Sequence, residues 1–216
     1  MHCSENELWQ MMRKAMLGCG FRHDIAEDAG WAAVFASYIC AEAVVEIADM
    51  LEHYASCHSQ NLVPYNSSVF RRRGEVLQAE LQPWEFLNYG SACCDWLIAH
   101  PQTDSVQLKC SSFPYYFTGL LHWTQRQYGG HIILTSPEGE TIIRDKHIGT
   151  APVQGGDITL RYAVDTTASA ERSTTDTLQV EERGWERLAH FAQGAYVPET
   201  EHSKLFGAGA GLKDND

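Results

Sequence analysis

Alternating glycines near the end of the sequence could bind a ligand through their main-chain groups. Gly207, Gly209 and Gly211 alternate with alanines, and Lys213 follows them. Main chain without side chains can approach a ligand closely, and exposed N–H groups bind phosphate or carboxylate oxygens. The spacing is neither that of a Walker loop nor that of a dinucleotide-binding fingerprint. We therefore expect one wall of an anion site here or, as the alternative, a segment that lies flat over the core or at a subunit contact.

A run of arginines is the second candidate. Arg71, Arg72 and Arg73 form the one basic cluster in a sequence whose net charge is −12. Guanidinium groups bind carboxylate and phosphate bidentately. These arginines, together with Lys213, predict the positive side of a site for an anionic metabolite. The alternative is a solvated turn that pairs with nearby acids such as Glu75.

Metal-binding patterns are incomplete along the sequence. Asp214 and Asp216 offer oxygen ligands that suit Mg²⁺ or Ca²⁺, but the further ligands of a calcium loop are missing. His53 and Cys57 are four residues apart and make half of a zinc site at best. We therefore predict no metal site, and the sequence identifies no cofactor.

The candidate nucleophiles and general bases in the sequence are better explained as structural residues. Cys93 and Cys94 precede Asp95, yet no basic residue nearby in sequence would lower the pKa of either thiol. We expect both cysteines to be buried. Three histidines are general-base candidates without an assigned partner, namely His131, His147 and His190. Whether the protein is an enzyme is left open by these residues.

Composition restricts the class of protein. The 216 residues, 44% hydrophobic and 20% charged, suffice for a packed core without disulfides. The net charge of −12 argues against nucleic-acid binding, which requires an excess of Lys and Arg. Seven irregularly spaced cysteines and the lack of a long apolar run predict a reduced cytoplasmic protein with no membrane span.

The first quarter of the sequence predicts a helical subdomain over residues 1–60. Ser4 and Glu7 form a capping box that opens a helix over about 5–17. Asp24 and Glu27 have the spacing of a second box at the start of an alanine-rich helix. A third amphipathic run covers about residues 42–56.

Residues 61–216 predict a small, mostly antiparallel sheet with packed helices, which we expect to form one compact unit with the first sixty residues. Pro83 starts a helix, and a hairpin turns at Pro137 to Gly139. The predicted segments are helices over 84–99, 113–128 and 181–194, and strands over 106–110, 131–136, 140–144 and 157–164. The fold class is therefore α+β, with the glycine-rich terminus docked on it.

Three stretches resemble the bacterial family called domain of unknown function 3726. They are Glu5 to Gly30 at the N-terminus, Pro83 to Asp95 in the middle and Tyr196 to Asp216 at the end. Within them the resemblance rests on Ala26-Glu-Asp-Ala-Gly30, Gly90-Ser-Ala-Cys-Cys-Asp95 and the Gly-Ala ending before Asp-Asn-Asp. The resemblance implies no particular activity, cofactor or catalytic residue.

The leading functional hypothesis is a site for a small anionic metabolite, with the glycine-rich terminus as one wall and Arg71 to Arg73 or Lys213 supplying positive charge. The alternative is a non-catalytic accessory protein whose terminal segment docks on a partner or on a second copy of the chain. In that case the apolar Tyr196 to Pro198 and Leu205 to Phe206 would anchor the interface.

Overall fold

The computed structural model describes residues 1–59, 69–101, 104–144, 154–164 and 177–195. Within these ranges six α-helices accompany a six-stranded mixed sheet and a small antiparallel sheet, so the predicted α+β class is confirmed. The helices are α1 (Glu5–Gly18), α2 (His23–Ile39), α3 (Ala43–Ser59), α4 (Phe86–Ala99), α5 (Tyr115–Tyr128) and α6 (Glu182–Gln193). The strands are β1 (His2–Cys3), β2 (Arg71–Arg73), β3 (Val76–Leu81), β4 (Ser105–Ser112), β5 (His131–Ser136), β6 (Gly139–Ile143), β7 (Gln154–Ala163) and β8 (Leu178–Gln179).

The two predicted capping boxes have different outcomes. The first is confirmed, because the Ser4 hydroxyl accepts the Glu7 N–H at 3.2 Å and the Glu7 carboxylate accepts the Ser4 N–H at 2.7 Å. The second box is wrong. Helix α2 begins at His23 after an extended Arg22, and the Asp24 carboxylate accepts a hydrogen bond from the Arg22 guanidinium at 2.7 Å. The capping-box pattern predicted that the Asp24 side chain would accept a main-chain N–H, but the Arg22 guanidinium donates to it instead.

The main sheet has the strand order β2-β3-β4-β7-β5-β6. Every neighbouring pair is antiparallel except β3 and β4, which are parallel. Parallel strands require a crossover connection, and a 3₁₀ turn at Pro83–Glu85 followed by α4 supplies it. The sequence analysis placed no strand between residues 57 and 82. The analysis missed strand β2 because its three residues are all exposed arginines, which lack the alternation of apolar and polar residues that indicates a strand.

The helices cover one face of the sheet in two layers. Helices α4 and α5 lie against the sheet, and α2 packs on α5. Helix α1 packs on α2, and α6 packs on both α1 and α3. The short strand β1 pairs with β8, so Cys3 lies opposite Leu178. The helical layer therefore combines elements from the beginning of the sequence with α6 from near its end.

Glycine allows the closest helix contacts. A Cβ atom on Gly119 of α5 would lie 2.1 Å from the Ala32 carbonyl oxygen of α2. Neither atom can move without shifting a helix, because the contact is with main chain. A Cβ atom on Gly90 of α4 would instead meet the end of the flexible Leu120 side chain at 2.9 Å.

We expect Gly119→Ala to lower the free energy of unfolding by about 3 kcal/mol, because overpacking against main chain forces the two helices apart. Gly90→Ala is the matched control. Its expected loss is about 1 kcal/mol or less, since Leu120 can change rotamer and alanine favours the helix. Urea unfolding of both variants measures the difference. If Gly119→Ala lowered the free energy of unfolding by as little as the control is expected to, α2 and α5 would be able to separate easily.

A half-buried carboxylate binds the N-terminus of α5. Pro114 precedes this helix and gives it no side-chain cap. Glu46 of α3 fills the role, because its carboxylate accepts main-chain N–H groups of Tyr116, at 3.4 Å, and of Tyr115. Burial raises the pKa of Glu46 to about 7 even though these hydrogen bonds lower it. The effect of burial on the pKa of Glu46 is therefore larger than the opposing effect of the hydrogen bonds from the helix N-terminus.

This pKa makes stability depend on pH. The folded protein retains a proton on Glu46 up to about pH 7, whereas the unfolded chain releases it near pH 4.5. Stability from this group is therefore complete below the unfolded pKa and is lost as the pH rises through the folded one. The unfolding free energy of the unchanged protein should therefore fall between pH 5 and pH 8. In Glu46→Gln this fall should be smaller by roughly 1 to 3 kcal/mol, since one pKa unit is about 1.4 kcal/mol.

Thermal or urea unfolding at the two pH values measures this effect. The exposed Glu186→Gln in α6 is the control, and its pH dependence should match that of the unchanged protein. A Glu46→Gln variant with the full decrease between pH 5 and pH 8 would contradict the assignment.

Candidate functional site

The face of the main sheet opposite the described helices contains a wide groove. Its volume is about 780 Å³. The polar side chains along it come from four strands, and the register aligns them in rows. One row is formed by Arg71, Gln78, Gln107 and Thr159, and another by Glu80, Lys109 and Asp157.

Strand alternation produces this polar face. Leu77 and Leu81 in β3 and Val106 and Leu108 in β4 are buried against the helices. The residues between them therefore point to the opposite face, because successive side chains of a strand alternate. This alternation is the signal that could have identified Gln78, Gln107 and Lys109, which the sequence analysis did not select.

Positive charge exceeds negative charge on this face. The outward positions of β2, β3, β4 and β7 carry four cations, and they carry two carboxylates, Glu80 and Asp157. The cations are Arg71, Arg73, Lys109 and Arg161. The groove lining itself includes Arg71 and Lys109 together with both carboxylates, so the positive excess belongs to the strand surface around the groove, in a chain of net charge −12.

The charges in the groove are only weakly paired with each other. Lys109 Nζ lies 4.0 Å from a Glu80 carboxylate oxygen, and the two side chains are 66% and 72% exposed. An ion pair at that distance and exposure contributes little to stability. Lys109 can therefore exchange Glu80 for a bound anion at small cost.

The arginine triplet is divided between the two faces of the sheet. Arg71 lines the groove, and Arg73 is on the same face two residues further along the strand. Arg72 points the other way, where its guanidinium lies 4.9 Å from the centre of the Trp96 ring. Its Nε also donates to the Gly74 carbonyl at 3.1 Å. The three guanidinium groups therefore do not form one clamp.

The glycine-rich candidate residues lie outside the described residues. This applies to Gly207, Gly209, Gly211 and Lys213, and to the predicted anchors between Tyr196 and Phe206. His147 is outside them as well. Their predicted roles stay predictions.

The predicted burial of the cysteine pair is confirmed. Cys93 and Cys94 are both buried in α4. Burial raises the pKa of Cys94 to about 12, so its thiol is protonated and unreactive at neutral pH. His53 packs beside Trp84, with ring centres 5.2 Å apart. Among the described residues, no three His, Cys, Asp or Glu side chains converge to hold a metal ion.

No family model matches the chain, and the search of curated proteins finds no match either. The resemblance to domain of unknown function 3726 therefore stays a hypothesis. Among the described helices, none is long and apolar enough to cross a membrane.

Proposed function

We propose that the protein binds a small anionic metabolite in the groove on the sheet face opposite the described helices. The observation that carries the proposal is the surface around the groove, where the outward positions of β2, β3, β4 and β7 have four cations and two carboxylates in a chain of net charge −12. Arg71 and Lys109 would bind carboxylate or phosphate oxygens, because charge-assisted hydrogen bonds are about twice as strong as neutral ones.

The neighbouring amides would position the ligand. Gln78 Nε2 donates to Gln107 Oε1 at 2.8 Å, which orients both side chains. The amide N–H groups of Gln107 can then donate to a ligand oxygen, as can the Thr159 hydroxyl in the same row.

The acidic end of the groove restricts the ligand class. Glu80 and Asp157 flank Lys109 in one row. Two carboxylates at one end repel a polyanion that fills the groove, and they accept hydrogen bonds from hydroxyl or amino groups. The favoured ligand therefore has an anionic group at one end and hydrogen-bond donors at the other.

We expect two probes, inorganic phosphate and glycerol 3-phosphate, to shift the side-chain amide NMR signals of Gln78 and Gln107 in a saturable manner, because glycerol 3-phosphate has a phosphate at one end and hydroxyl donors at the other. The double variant Arg71→Gln, Lys109→Gln should weaken binding at least tenfold, because a hydrogen bond to a charged group contributes about 1.5 to 3 kcal/mol. Arg183→Gln, an exposed arginine of α6, is the control and should bind like the unchanged protein.

Absence of any saturable shift would reject the proposal. Equal affinity in the double variant would reject it as well. A doubled molecular mass with the same amide signals perturbed would assign the face to a contact between two copies of the chain.

The glycine-rich terminus supplies a further part of the proposal. Gly207, Gly209, Gly211 and Lys213 are candidates from the sequence for contacts to the same anion. Deletion of residues 207–216 should weaken glycerol 3-phosphate binding severalfold while melting temperature and molecular mass stay constant. A variant that binds glycerol 3-phosphate normally but has a changed mass would instead support docking of the segment on a second copy.

A further inference from the structure

The two edge strands of the main sheet, as far as the described residues extend, differ in charge. Strand β2 at one end consists of three exposed arginines, Arg71, Arg72 and Arg73. Strand β6 at the other end reads Gly139-Glu-Thr-Ile-Ile143. An edge strand can pair with a strand of another chain unless its charge or shape prevents this. The arginines of β2 prevent it for a second copy, because arginine would lie opposite arginine, whereas β6 has no run of like charge.

Alternate residues of β6 direct their main-chain groups to the open edge. The turn of the β5–β6 hairpin has two residues, and Ser136 pairs with Gly139 across it. A two-residue loop is closed by a hydrogen-bonded pair, after which non-hydrogen-bonded and hydrogen-bonded pairs alternate. Thr141 therefore bonds to β5, whereas Glu140 and Ile142 direct their N–H and C=O groups away from β5.

The side chains of Glu140 and Ile142 lie on the face of the sheet that holds the groove. Glu140 pairs with Thr135, which pairs in turn with Thr159 of the groove. Ile142 is two residues further along the same face and is 40% exposed. Arg144 follows β6 at the same spacing and is also exposed. In the described part of the chain, neither Glu140 nor Arg144 takes part in an ion pair.

One antiparallel register between two copies of β6 matches charge and main chain together. With Ile142 opposite Ile142, and the strand extended by one residue, Glu140 of each copy lies opposite Arg144 of the other. Two ion pairs then flank one apolar pair. All of these residues direct their N–H and C=O groups to the open edge, so the opposite residues can exchange hydrogen bonds. A shift by one residue would oppose Ile142 to Thr141, whose main-chain groups already bond to β5.

We propose that two copies of this chain associate through β6 and join their main sheets. The two-fold axis passes between the two Ile142 residues, so the contact uses the same strand of both copies and closes after two. The axis is perpendicular to the sheet, so both grooves lie on the same side and stay open. A strand of five residues buries a small area, and we therefore expect a weak dimer whose population rises with protein concentration.

Charge reversal tests the pairing. Glu140→Arg would oppose arginine to arginine at both ends of the contact, and Arg144→Glu would oppose glutamate to glutamate. Each variant should weaken dimerisation by roughly tenfold, because two favourable pairs become two repulsive ones. The double variant Glu140→Arg, Arg144→Glu exchanges the charges and should restore dimerisation. Analytical ultracentrifugation over a range of concentrations measures the dissociation constants.

A mixture of the two single variants tests the register itself. A Glu140→Arg chain beside an Arg144→Glu chain has arginine opposite glutamate at both ends. The mixture should therefore form a mixed dimer more readily than either variant forms its own dimer, and this recovery would show that both variants are folded. Glu186→Arg and Arg183→Glu, at exposed positions of α6, make the same changes in net charge. These controls should dimerise like the unchanged protein, and mixing them should give no gain.

Hydrogen exchange provides an independent measurement. The main-chain N–H groups of Glu140 and Ile142 should exchange more slowly at high protein concentration, whereas that of Thr141 should not change. The side-chain amide signals of Gln78 and Gln107 should also stay constant, which separates this contact from one through the groove.

Several results would overturn the proposal. A chain that stays monomeric at the millimolar concentrations of NMR samples would do so, as would a dimer that neither single charge reversal weakens. Single variants that lose dimerisation and do not recover on mixing would exclude this register. Assemblies larger than two copies would contradict it as well, because the contact closes after two.

Discussion

The close contact between α2 and α5 is the constraint on which the rest of the fold depends. Gly119 lies against the Ala32 carbonyl, where no side chain larger than hydrogen fits. Trp31 meets Trp123 on one side of this contact, and Cys40 meets Tyr115 on the other, so the two helices run antiparallel along their length. Helix α5 lies between the sheet and α2. The position of the sheet relative to the outer helices is therefore set at this crossing.

Side-chain hydrogen bonds hold both ends of α5 in place. Glu46 binds main-chain N–H groups at its N-terminus. At its C-terminus the Tyr162 hydroxyl donates to the Gly129 carbonyl at 2.9 Å, and Gln125 donates to the Gly130 carbonyl at 3.0 Å. A helix this deeply buried cannot leave its terminal groups to water. These polar contacts fix the helix along its axis, and with it the position of Trp123, whose ring stacks on Trp31 of α2.

Local patterns in the sequence predicted local structure well. The Ser4 box, the turn at Pro137 to Gly139 and the helix bounds were accessible because neighbouring residues determine them. Strand β2 was missed because its arginines acquire strand geometry only by pairing with β3. Asp24 was misassigned because the box pattern does not weigh a competing guanidinium two residues away.

The candidate sites were accessible only in part for the same reason. Arg71 stood out by its charge, but its neighbours Gln107 and Thr159 reach it through the register of strands from distant parts of the sequence. Pairing across the sheet and between helices is not encoded in any short segment.

The pairing of β1 with β8 has a consequence for biosynthesis. Cys3 and Leu178 are joined across nearly the whole chain, and α6, which covers α1, follows β8 directly. During translation, the side of α1 that packs against α6 stays exposed until α6 has been synthesised. Contacts of such long sequence separation form late and slowly. Apolar helix surface that stays exposed during translation favours aggregation of the nascent chain.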